Sequence, residues 1–153
     1  LMHETLTPVC APSLLDGPPG LHVLDDLALH TLLHDENESF GTAAPTWEFW
    51  ARNCGLSLPK PLKSRRFGQS NLVVQAAIQG LGVALGRKPL VIDALRDVRL
   101  VRPFAEITQS PLSYWLVVRH DRTESAKVQD FSAWIRAEVL AEPPLPEPAL
   151  LKD

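Results

Sequence analysis

The stretch Ser70-Asn-Leu-Val-Val-Gln-Ala-Ala-Ile-Gln-Gly-Leu-Gly-Val-Ala-Leu-Gly86 changes its period halfway along. Leu72, Val73, Ala76, Ala77 and Leu81 keep a helical spacing, Gly80 and Gly82 interrupt it, and Val83-Ala84-Leu85 is a short β-prone run. The spacing predicts a helix that turns tightly into a strand, with Ser70 as its cap. Its glycines superficially resemble a dinucleotide-binding loop, but the order is reversed. Such a loop follows a strand and opens a helix, whereas these glycines close a helix and open a strand. They read as a turn in which two backbones approach closely.

The same alternation extends in both directions. Upstream, Leu62 to Phe67 reads as a strand whose outer side is basic, with Lys63 and Arg65 on one face and Arg66 on the other. Before it, Trp47, Trp50 and Cys54 share one helical face, with Thr46 as the cap and Gly55 as the close. Residues 35–46 read as a loop, His30-Thr-Leu-Leu-His34 as a buried strand, and Leu24 to Leu27 as a single helical turn. Thr5 to Cys10 is a short strand that Pro8 confines to an edge or a crossover.

Downstream, residues 88–95 form a helix that tolerates Pro89 in its first turn. Leu100-Val101 continues as a strand, and Tyr114 to Val118 is the clearest strand by composition. A long amphipathic helix runs from Thr123, its expected cap, to about Glu142, with Val128, Phe131, Trp134, Ile135, Val139 and Leu140 as apolar positions. Pro143, Pro144, Pro146 and Pro148 mark an unpacked polyproline II tail. Strands alternating with helices predict an α/β fold with a largely parallel central sheet flanked by helices.

The chain has 153 residues and a mass of 16.9 kDa, enough for one domain with its own core. Fifteen Lys+Arg against 18 Asp+Glu leave a charge of −3, which argues against a chain that grips nucleic acid alone. Cys10 and Cys54 read as two reduced, buried thiols of a cytosolic protein. No apolar run is long enough to span a bilayer, and Leu1 to Thr5 shows no secretory signal. A start at Leu1 suggests a piece of a longer protein.

Reactive chemistry is hard to place. His22, His30, His34 and Asp35 lack the spacing of a zinc site. Ser70 has no nucleophile elbow, Cys54 has no surrounding Cys–His signature, and no two carboxylates stand in an obvious acid/base relation. Lys60, Lys63, Arg65 and Arg66 form the one basic cluster, read as a solvated strand face or as the anion-attracting rim of a cleft. Ser70, at the start of a helix, can cap it and also share its donors with an anionic ligand.

Several blocks together resemble the effector-binding domain of LysR-type transcriptional regulators, most closely the glycine-cleavage activator branch. They are Pro8-Val-Cys-Ala-Pro-Ser-Leu-Leu15, His30-Thr-Leu-Leu-His-Asp35, Trp47-Glu-Phe-Trp50, Phe67-Gly-Gln-Ser70 and Val74 to Leu85. Leu100-Val-Arg-Pro-Phe104, Tyr114-Trp-Leu-Val117 and Phe131-Ser-Ala-Trp134 follow in the same order. The resemblance implies a type 2 periplasmic-binding-protein-like lobe whose partner lobe is largely absent. Residues 1–120 would be the second lobe with crossover strands at about 5–10 and 113–118. Residues 121–142 would be a helix returning to the first lobe, and 143–153 a Pro-rich tail.

The implied function is cytoplasmic sensing of a small-molecule effector, an amino acid or another small organic anion, in the cleft between lobes. The effector contacts implied are Thr31, Leu32, His34, Phe67, Ser70 and Tyr114. The resemblance implies no catalysis, no cofactor, no metal and no membrane. It implies DNA contact only through a separate winged helix-turn-helix head, and self-association to a dimer or higher. The alternatives are a periplasmic-type solute-binding lobe and a small α/β enzyme.

Overall fold

The computed structural model of the chain describes residues 1–36, 45–61 and 63–149. Its strands are β1 (Met2–Val9), β2 (Thr31–Asp35), β3 (Lys63–Phe67), β4 (Val83–Arg87) and β5 (Thr108–Tyr114), in the sheet order β3-β2-β4-β1-β5. β2 runs parallel to both β3 and β4. β1 runs antiparallel to β4 and to β5. The sheet is therefore mixed: the parallel part is β3-β2-β4, and two antiparallel strands extend it. The helices are α1 (Ser13–Asp16), α2 (Trp47–Asn53), α3 (Ser70–Ile78), α4 (Lys88–Arg96) and α5 (Ala126–Ala141), with 3₁₀ turns at Leu24–Leu29 and His120–Arg122.

Successive side chains in a strand point to opposite faces, and this builds a core on each side of the sheet. Leu6, Leu32 and Val83 join Leu27, Trp47 and Trp50 on one face. Val9, Leu33 and Ala84 join Val73, Ala77 and Val91 on the other. Trp47 and Trp50 meet edge to face with ring centroids 5.7 Å apart. Thr46 caps α2 by accepting a hydrogen bond from the Phe49 N–H at 3.1 Å, and Gly55 closes the helix with φ +70°. The α3-to-β4 turn is as close as its glycines suggest. A Cβ on Gly82 would lie 2.2 Å from the Thr31 carbonyl oxygen, so only glycine lets β4 enter the sheet flush against β2.

Several local expectations are corrected. The cap residue of α3 is Gln69, not Ser70, because the Ser70 hydroxyl is drawn sideways to Asp35 and Arg87. Ser125, not Thr123, precedes α5; the Thr123 hydroxyl donates to the His120 carbonyl at 2.8 Å instead. Leu72 and Leu81 are exposed. The strand expected at 113–118 lies earlier, at Thr108–Tyr114, because the register with β1 ends at the pair Met2 and Tyr114. Beyond it Trp115 and Val117 are exposed rather than buried in a sheet.

Leu100-Val101 contributes a single bridge, from Val101 to Cys10. β1 is interior rather than an edge. Pro8 fits because the pairing with β5 ends at Leu6 and residues of its parity turn away from β4, as Cys10 does in bonding Val101. Cys10 is buried as expected, whereas Cys54 is only partly buried; neither is in a disulfide.

The proline-rich segment also packs, contrary to expectation. The guanidinium of Arg102 donates to the Pro146 carbonyl at 2.7 Å, the Ala149 N–H donates to the Arg102 carbonyl at 2.8 Å, and Leu145 rests on the core. Part of the expected 35–46 loop, part of the basic strand at Leu62 and the last residues of the tail lie outside the described residues.

Candidate functional site

Parallel strands bring their carboxyl ends to one side of a sheet, and that side is where open α/β folds hold ligands. Here β2 ends at Asp35, β3 at Phe67 and β4 at Arg87, while α3 starts at Ser70 beside them. Because β1 is antiparallel to β4, its early residues return to the same side, with Leu6 paired to Arg87. Glu4 thereby reaches the polar end of the sheet.

Arg87 is the hub. Its Nε donates to Glu4 Oε1 at 2.7 Å and its Nη1 donates to Ser70 Oγ at 3.0 Å. Nη1 also lies 3.8 Å from Asp35 Oδ2. The Ser70 hydroxyl in turn donates to Asp35. The Glu4 side chain is completely buried and that of Arg87 is 13% exposed, so this ion pair is shielded from water. Tyr114, at the end of β5, sits beside the same pair. Burial pushes its phenol above the ordinary range and Glu4 adds to that, while Arg87 opposes it.

Next to this cluster is a cavity of about 260 Å³ lined by Leu33, His34, Asp35, Glu36, Pro45, Thr46, Trp47, Glu48, Arg66, Leu85 and Arg87. Arg66 pairs with Glu36 at its rim. Burial holds the His34 imidazole below its ordinary pKa; Glu48 and Glu36 pull it up and Arg66 pushes it down. The His34 Nε2 is buried with no hydrogen-bond partner among the described residues. Among those residues no group of three or more His, Cys, Asp or Glu side chains is disposed to hold a metal ion. No helix among them is long and apolar enough to cross a membrane.

Of the six residues expected to contact an effector, the structure brings together three. His34 lines the cavity, Ser70 bonds the Asp35–Arg87 pair, and Tyr114 adjoins it through Glu4 and Arg87. Ser70 lines a small hollow with Asp35 and Arg87, Tyr114 lines another with Met2 and His3, and Arg87 adjoins both residues. Phe67 is half-buried against the core, and its carbonyl accepts from the Glu36 N–H at 2.8 Å. Leu32 is fully buried among Trp47 and Trp50. Thr31 begins β2, at the end of the strand opposite Asp35, where its carbonyl faces Gly82.

The residues not singled out for this site were Glu4, Asp35, Thr46, Glu48 and Arg87. One signal for two of them was present: Asp35 and Arg87 each terminate a strand of the parallel part, where polar residues line a cleft. Nothing local marked Glu4.

Residues 1–140 match the family described as the LysR substrate binding domain. The chain is 37% identical over 142 residues to the glycine cleavage system transcriptional activator of Escherichia coli K12, covering 93% of this chain and 45% of that protein. It is 32% identical over 136 residues to the transcriptional activator AmpR of Pseudomonas aeruginosa, covering 88% and 43%. Among solved structures, the effector domain of that AmpR superposes with a TM-score of 0.71 at 31% identity, covering 93% of this chain and 65% of the other. The effector binding domain from Citrobacter freundii AmpR gives 0.65 at 26% identity, covering 92% and 66%. The chain thus spans less than half the length of the curated relatives it matches, and these relatives are named as transcriptional regulators.

Proposed function

The chain belongs to the LysR substrate binding domain family, and from that premise we propose that it senses a small-molecule effector for a LysR-type transcriptional regulator. The observation that carries this reading is Arg87, which ties the ligand-facing ends of β2 and α3 to Glu4 on β1 and adjoins Tyr114 on β5. In this reading β1 and β5 are crossover strands between two lobes, and residues 1–120 are the second lobe. An effector seated against His34, Ser70 and Asp35 perturbs groups bonded to the crossover strands. It changes the regulator to the extent that it binds one lobe arrangement better than the other.

Several parts of this reading follow from the family. DNA binding belongs to a separate head, in keeping with the charge of −3. The protein works in the cytoplasm, and the apolar side of α5 meets the other lobe. Thr31, Leu32 and Phe67 support the strand ends, while His34, Ser70 and Tyr114 face the effector.

The test is made in a full-length regulator containing this segment, with effector response read from a promoter fusion. Ser70→Ala and Tyr114→Phe are each expected to raise the effector concentration for half response about two- to tenfold, the range for one lost hydrogen bond. Operator affinity without effector should not change. An unaltered response in both variants removes the proposed site. The alternative of a periplasmic-type solute-binding lobe is not favoured by the relatives, which are regulators.

A further inference from the structure

We propose that the cavity at the strand ends receives its ligand through a protonated amine rather than through a carboxylate. The inference rests on the effector reading above and narrows the class of ligand. Three carboxylates, Asp35, Glu36 and Glu48, line the cavity against two guanidiniums, Arg66 and Arg87. Both cations are engaged: Arg66 with Glu36, and Arg87 with Asp35 and with Glu4 behind it. Glu4 does not line the cavity; fully buried, it neutralises Arg87 from behind. The excess is negative, and low-dielectric walls focus such an excess into the hollow they enclose.

The hydrogen-bond inventory agrees with the charge. His34 Nε2 and Glu4 Oε2 are both shut off from water without a hydrogen-bond partner among the described residues. The donors that line the cavity or adjoin Arg87 are committed: Trp47 Nε1 to the Leu33 carbonyl at 3.1 Å, Arg87 to Glu4 and Ser70, and the Ser70 hydroxyl to Asp35; Trp50 Nε1, also without a partner among the described residues, lies in the core and does not line the cavity. A carboxylate that enters far enough to take Arg87 must draw it from the buried Glu4 and leave that charge uncompensated, whereas Arg66, paired with Glu36, stands at the exposed rim. An ammonium group brings three donors and a positive charge, and no existing pair has to break. A neutral His34 offers an acceptor to it, not a rival cation.

The charge preference is measurable without knowing the ligand. Two nitroxide cosolutes of matched size, one bearing an ammonium and one a carboxylate, are added to the ¹⁵N-labelled 153-residue chain. Paramagnetic relaxation is then compared at the amide protons of Leu33 to Glu36 and Thr46 to Glu48. The ammonium probe is expected to act about sevenfold more strongly there, the ratio for a potential near one kT. Glu48→Gln should bring that ratio toward one while the ratio at distant α5 amides stays put. In parallel, propylamine should shift the cavity resonances and propanoate should not.

A relaxation ratio at or below one, or tighter binding of propanoate, overturns the inference whatever the site is for. Failure of the effector reading looks different. The amine preference then holds, but amines that occupy the cavity leave operator binding of a full-length regulator unchanged. That outcome keeps the ligand class and removes the role.

Discussion

At the scale of the single residue, the Glu4–Arg87 pair is the most consequential contact. The Glu4 carboxylate is wholly buried, and Arg87 Nε at 2.7 Å is its charged partner. Removing one member of a buried pair strands the other's charge, at a cost of about 3–5 kcal/mol. Arg87→Met is therefore expected to destabilise the chain by roughly that amount in urea denaturation. The double variant Glu4→Gln with Arg87→Met should lose much less than the sum of the two single losses. Simple additivity would contradict the coupling.

His34 supplies a second residue-scale prediction. Its folded pKa is depressed by burial. Above the ordinary imidazole range both the folded and the unfolded chain hold it neutral. Below about pH 6.5 the unfolded chain takes up a proton that the folded chain resists, so stability falls as pH drops toward the folded value. His34→Asn should flatten this limb, measured as denaturation midpoints at about pH 7.5 and about pH 5.5. A variant that keeps the full slope would show that other groups carry it.

At the scale of elements, the parallel part of the sheet depends on one backbone approach. The Gly82 turn lets β4 enter beside β2, and any Cβ there collides with the Thr31 carbonyl at 2.2 Å. Gly82→Ala is expected to cost about 1–3 kcal/mol or more, because the neighbour is backbone and cannot swing aside. Hydrogen exchange should quicken in β2 and β4 before it quickens in α2. Equal protection in the variant would argue against a tight turn.

This turn was legible because a change of period flanked by glycines is a local signal. So was α2, whose cap, aromatic spacing and closing glycine lie within ten residues. The Ser70 cap was misread because a helix start looks alike whether its hydroxyl turns to the helix or to a distant Asp35. Glu4 and Arg87 are 83 positions apart, and only the antiparallel return of β1 brings them together. Local periodicity holds no such information. The strand expected around Tyr114 to Val118 failed for a related reason. Its β-prone composition continues, but β1 offers no partner past the Met2 pairing, and an unpaired apolar run is not a strand.

For the whole molecule, the telling quantity is surface. The chain exposes 9391 Å², about a fifth more than the roughly 7,700 Å² expected for a closed globule of this mass. Much of the apolar part lies on and just before α5. This helix has no buried residue, and Phe131, Trp134, Leu140, Trp115 and Val117 are all exposed. Of the apolar positions expected on one face, Val128, Ile135 and Val139 are half-buried, whereas Phe131, Trp134 and Leu140 find no cover among the described residues. Arg102 and the proline-rich segment fasten the chain beyond α5 to the core, so the helix is anchored on both sides of its length while much of its own apolar surface stays exposed.

Contiguous apolar surface of this kind drives association. Light scattering on the 153-residue chain is accordingly expected to give a dimer or larger species. Phe131→Glu together with Trp134→Glu should shift it toward monomer, because each places a charge where association would desolvate it. A clean monomer of the unaltered chain at high concentration would mean that the α5 surface is satisfied by water. The association argument would then be lost, whereas the polar cluster around Arg87 rests on its own contacts and would stand.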